Sequence, residues 1–71
     1  MSQYLVVIEK ANGNYSAYVP DLPGCVATGE TVADVRERMR QAISLHIQGL
    51  REDGLPVPTP STSSEYVAVT S

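Results

Sequence analysis

The sequence has no tryptophan or phenylalanine, one cysteine, one histidine and five basic residues in 71, and each shortage removes a class of function. A lone Cys25 cannot close an internal disulfide. With a lone His46 it cannot complete a zinc site within one chain, and no base–nucleophile pair is suggested by spacing. Five Lys and Arg stand against eight Asp and Glu, a net charge of -3. That balance argues against gripping nucleic acid through its phosphates, which takes clustered cations. The longest early apolar run, Tyr4 to Ile8, falls far short of the roughly 20 residues of a membrane span. No basic segment followed by a long apolar one opens the chain. No Gly-rich loop meets a helix start with a Lys nearby, so Gly24 and Gly29 are read as turn residues. Together these shortages predict a protein of the reducing cytoplasm that touches neither membrane nor nucleic acid directly and carries no cofactor or metal.

What is present is a small set of well-punctuated elements. A chain this short makes one domain, 1–71, and buries only about 60% of the surface its unfolded form exposes. Tyr4 to Ile8 is apolar throughout, as a strand covered on both faces would be, and a central strand over about 3–9 is expected. Lys10 to Asn14 supplies turn residues, and Tyr15 to Val19 reads as the second strand of a hairpin. Pro20 ends it, Pro23-Gly24 favours a tight turn, and Cys25 to Thr28 returns as a short third strand. Thr31 with Asp34 three residues on resembles a capping box, placing a helix over about 32–53. At 100° per residue, Val32, Val35, Met39, Ala42, Ile43, His46 and Leu50 share one arc, opposite Glu37, Gln41, Ser44, Gln48 and Arg51. Asp34 and Arg38 are spaced to pair, and Gly54 with Pro56 marks the stop. Residues 55–64, with three prolines, form an extended connector, and Glu65 to Val69 reads as a last strand.

The segment from Tyr15 to Thr31, YSAYVPDLPGCVATGET, resembles the signature of the HicB-like antitoxin family. The likeness lies in an aromatic-rich strand before Asp21-Leu22-Pro23-Gly24-Cys25, a short strand, Gly29-Glu30-Thr31 and a long amphipathic helix. It extends over nearly the whole chain, and the five residues of the turn are its sharp part. The resemblance implies a partial RNase H-like fold that sequesters a small basic ribonuclease toxin, HicA-like, without catalysis of its own. Members commonly carry a DNA-binding segment after this domain. Residues 1–71 show none, so a stand-alone domain without transcriptional autoregulation is expected.

The fold class that follows is α+β, a two-layer β-β-β-α-β arrangement. A right-handed crossover would set the last strand beside the first, giving a mixed four-stranded sheet of order 3-2-1-4 with one long helix on one face. Leu5 and Val7 then point to one side of the sheet and Tyr4, Val6 and Ile8 to the other, so a single helix leaves one apolar face uncovered. A homodimer or higher homo-oligomer would cover it. Tyr4, Tyr18, Tyr66 and His46 are candidate interface residues, His46 because it lies on the apolar arc where its ring needs a partner. Tyr15 joins the tyrosines as rim residues, since no cations accompany them for base stacking. Two other readings stand beside the antitoxin. One is a solitary oligomeric interaction domain with another partner. The other is a metal-dependent RNase H-like nuclease, which would require Glu9, Asp21, Asp34 and Glu65 to converge, an arrangement their elements do not suggest.

Overall fold

A computed structural model describes residues 3–70. Strands β1 (Val7–Ala11), β2 (Asn14–Tyr18) and β3 (Val26–Gly29) precede one helix, α1 (Val32–Glu52). Both strand pairs are antiparallel and the sheet runs β1-β2-β3. Asn12 and Gly13 alone turn the first hairpin, joining the paired Ala11 and Asn14. Gly13 takes φ 79°, a conformation that costs a residue with a Cβ.

The register sorts the side chains. Ile8 faces Ala17 and Ala17 faces Ala27 across the sheet, and alternation puts these on the face that α1 covers. The core consists of Ala17, Val19, Leu22, Cys25, Val35 and Met39, with Tyr4, Val6, Ile8, Tyr15, Ala27, Ala42, Ile43 and Ile47 packed against it. Burying each large aliphatic of this set is worth about 1.5–3 kcal/mol. The first turn of the helix lies close over Gly29, where an added Cβ would stand 2.9 Å from the backbone nitrogen of Val35. Thr31 starts α1 by accepting from the Asp34 amide at 3.0 Å, which satisfies one orphan donor of the first turn. The end is a Schellman motif: Leu55 N donates to Leu50 O, Gly54 N donates to Arg51 O, and Gly54 sits at φ 68°.

The expected four-stranded mixed sheet of order 3-2-1-4 is not the fold. The sheet has three strands, is wholly antiparallel, and residues 55–70 form no regular element. The cause lies in the connector. Tyr4 Oη donates to Pro58 O at 2.6 Å, and Ser61 and Thr62 are held by Asp21. The connector is thereby tied to Tyr4, before the start of β1, and to the turn between β2 and β3, and residues 65–69 add no strand to the outer edge of β1. Tyr66, Val67 and Val69 consequently stand in solvent, at 107%, 76% and 82% exposure.

Two smaller corrections follow from the same geometry. β1 is an edge strand, not a central one, and its residues are half-buried or exposed. It begins at Val7 because Val7 pairs with Tyr18, the last residue of β2, after which Val19 N turns to donate to Cys25 O. The expected Asp34–Arg38 pairing gives way to another contact: Arg38 Nη1 donates to the carbonyl of Thr28 at 3.0 Å. The ion pair on the helix joins Glu37 and Arg40 at 2.6 Å, both exposed, and such pairs add about 0–1 kcal/mol.

Candidate functional site

The turn Asp21 to Cys25 is built from inside outward. Leu22 is wholly buried and Cys25 nearly so, so the two plug the core from either end of the turn while Pro23 and Gly24 between them remain exposed. Leu22 N donates to Val19 O, Cys25 N to Leu22 O and Val19 N to Cys25 O, each at 3.1 Å. Gly24 supplies the positive φ, 85°, that lets the chain reverse. Burial pushes the Cys25 thiol above its ordinary pKa, so it stays neutral and serves as packing.

Asp21 is the polar centre of this region. Its carboxylate accepts four hydrogen bonds from the connector. Thr62 Oγ1 and N donate at 2.6 and 3.0 Å, and Ser61 N and Oγ at 2.9 and 3.1 Å. These donors, the Thr62 hydroxyl foremost, lower its pKa from an ordinary 3.8 to about 2, because each favours the charged form. The turn is therefore locked to the connector 40 residues away in sequence.

Across the other face of the sheet lies a surface no helix covers. Val7 pairs with Tyr18 and Tyr18 with Val26, which aligns three apolar side chains in one row over all three strands. Leu5, between the core-packed Tyr4 and Val6 without joining them, extends the row. Tyr18 and Val26 are 42% and 64% exposed. Glu9, Ser16 and Thr28 border the row. Charge is unevenly placed as well. Outside α1 stand Glu9, Asp21, Glu30, Asp53 and Glu65 against Lys10 alone, whereas α1 holds Arg36, Arg38, Arg40 and Arg51 against Asp34, Glu37 and Glu52. The excess negative charge thus lies outside α1.

The candidate residues separate on this surface. Tyr18 lies in the centre of the apolar row, and Asp21 to Cys25 sit at its end, after β2 and before β3. Tyr4 is half-buried and holds the connector. His46 is half-buried on α1, on the other layer, and Tyr66 stands alone in solvent. Among the described residues, no group of three or more His, Cys, Asp or Glu side chains is placed to hold a metal ion. Among these residues, no helix is long and apolar enough to cross a membrane. Sequence reasoning misses Val26, Ser61 and Thr62. The two hydroxyl residues directly after three prolines were a usable signal, since such a run needs an outside acceptor to be fixed in place.

Comparison with known proteins agrees with this geometry. A family model described as HicB_like antitoxin of bacterial toxin-antitoxin system matches residues 4–70. An uncharacterized 14.9 kDa protein from the rep-hol intergenic region of Haemophilus phage HP1 is 38% identical over 64 residues, covering 90% of this chain and 48% of that protein. A UPF0150 protein of Synechocystis is 38% identical over 56 residues, with 78% of this chain and 71% of that one covered. Among solved structures, a chain of a HicA3 and HicB3 toxin-antitoxin complex superposes with a TM-score of 0.72 at 33% identity, over 84% of this chain and 70% of its own length. The chain thus spans about half the length of the phage relative.

Proposed function

This chain belongs to the HicB-like antitoxin family of bacterial toxin–antitoxin systems, and on that premise we propose that it is a non-catalytic module which binds and occludes a small basic ribonuclease, a HicA-like toxin, in the cytoplasm. The observation that carries the reading is the likeness to a chain of a HicA3 and HicB3 toxin-antitoxin complex. The uncovered row of Leu5, Val7, Tyr18 and Val26, set within the acidic part of the molecule, supplies a matching surface. An apolar centre gives contact area, and the Glu9 carboxylate at its border, with the net negative charge outside α1, favours a cationic partner. The three-stranded meander with its helix is read as a partial RNase H-like unit. Its acids sit in separate places: Glu9 borders the apolar row, Asp21 holds the connector and Asp34 lies in the first turn of α1. They act as solubilising and anchoring groups. Self-association through surface left bare in the single chain is the second part of the reading.

The test is titration of a co-encoded basic ribonuclease with this chain while RNA cleavage is followed. Inhibition should be complete at a stoichiometric ratio. The double variant Tyr18→Asp, Val26→Asp should weaken it by at least tenfold with the helical circular dichroism unchanged. Metal-dependent RNA cleavage by the chain itself, or an unaffected double variant, would overturn the reading or its chosen face respectively.

A further inference from the structure

The described residues contain two unsatisfied surfaces of matching chemistry. The first is the outer edge of β1. Ala11 and Asn14 close a two-residue turn, so Val7, Glu9 and Ala11 direct their backbone groups toward β2, and Ile8 and Lys10 direct theirs outward. Beside this edge runs a groove of about 400 Å³ between β1 and α1, lined by Val6, Ile8, Met39 and Ile43 and rimmed by Arg36 and Arg40. It exists because α1 packs over β2 and β3 and leaves β1 to one side. The opposite edge is different: α1 lies against β3, and Arg38 already occupies the carbonyl of Thr28.

The second surface is the segment 65–69. It has strand-forming composition but no regular structure of its own, and it exposes Tyr66, Val67 and Val69 almost completely. Apolar strand residues with no partner on either side are what soluble proteins avoid. The clamp of Ser61 and Thr62 on Asp21 roots this arm at the turn between β2 and β3. The arm does not pair with its own β1, and both the arm and that edge are left without a strand partner.

We infer that the arm 65–69 of one molecule adds to the outer edge of β1 of a second copy, and that the second copy returns the contact. The chain's own sheet remains three-stranded and the added strand comes from outside. Val67 and Val69 share one side of the arm and enter the groove over Val6, Ile8, Met39 and Ile43. Tyr66 falls on the other side, beside Val7 and the apolar row. Glu65 comes to the rim that Arg36 and Arg40 form. A second copy is the occupant because one sequence carries both halves of the contact, and a two-fold pairing satisfies both at once. This inference rests on the self-association part of the proposed function and is independent of the ribonuclease.

Sedimentation equilibrium and amide hydrogen exchange on the full chain, with no other protein present, test it. The mass should be twice 7.6 kDa, and the amides of Ile8 and Lys10 should be protected. In Val67→Asp, Val69→Asp the mass should fall to one chain and those two amides should exchange freely. The arm touches no core residue, so the amides of β2 and α1 should keep their protection and report intact folding. A chain that sediments at 7.6 kDa at every concentration, or a dimer that survives the double variant, would overturn the inference. Free exchange of the Ile8 and Lys10 amides in the chain alone would also overturn it. Because the measurement omits the ribonuclease, its failure leaves toxin occlusion standing.

Discussion

Two glycines show how one substitution reverses sign with its surroundings. At Gly29 a methyl group would meet the backbone nitrogen of Val35 at 2.9 Å and the Asp34 Cβ at 3.2 Å. Backbone cannot rotate away as a side-chain tip can, so Gly29→Ala must push α1 off β3. It should destabilise the fold by about 1–3 kcal/mol, the usual cost of overpacking, read as a lower urea midpoint at constant slope. At Gly49, within α1, nothing lies within 4 Å of the same methyl, so Gly49→Ala should raise the midpoint by up to about 1 kcal/mol through helix propensity. Asp21 gives a third prediction at this scale. Its folded pKa, about 2, lies below the ordinary 3.8, so the clamp's contribution is present above about pH 4 and fades as pH falls toward 2. The Ser61 and Thr62 amides should lose protection over that window while the core amides of α1 do not. In Asp21→Asn, which weakens the acceptor without changing its size, those two amides should already exchange faster at neutral pH.

Elements were legible in the sequence wherever a local rule sufficed. Thr31 caps α1 and accepts from Asp34 N, as the Thr-x-x-Asp spacing implies. Replacing it by Ala should cost about 1 kcal/mol and fray the first turn, a loss visible in helical dichroism on warming. The turn at Pro23-Gly24 is where local chemistry puts it, with Gly24 at φ 85°. The helical stripe matches the core at Val35, Met39, Ala42 and Ile43, but it omits Ile47, which packs on the core, and includes Val32, which is exposed. What failed was what depends on distant partners. Tyr4 to Ile8 is apolar at every position, yet strand propensity cannot say whether a neighbour arrives on each side. Glu65 to Val69 has the composition of a strand, but pairing is decided at Ser61 and Thr62, by an aspartate 40 residues earlier. A strand without an edge to join is only an extended segment. The candidate site divides in the same way. Tyr18 and the Asp21 to Cys25 turn could be named from sequence, whereas their alignment with Val7 and Val26 is a product of register.

At the scale of the whole molecule, separation of charge from apolar contact makes a kinetic prediction about the proposed ribonuclease partner. Outside α1 the chain carries five acids and one base, and one of those acids, Glu9, borders a row formed by Leu5, Val7, Tyr18 and Val26 that holds no charge. Long-range attraction to a basic partner comes from the first set and falls with ionic strength, as the Debye length shrinks from about 10 Å at 0.1 M salt to about 3 Å at 1 M. Contacts made by the row are short-ranged and insensitive to salt. Association should therefore slow by roughly tenfold or more across that range while dissociation changes little. The variants should divide along the same line. Glu9→Gln, at the border of the row, should lower the association rate and flatten its salt dependence. Tyr18→Ala, in the centre, should leave association nearly unchanged and speed dissociation, as loss of a buried aromatic anchor does. Stopped-flow mixing at several salt concentrations separates the two rates. A dissociation rate that rises with salt as steeply as association falls would mean that the carboxylates, and not the apolar row, hold the bound partner.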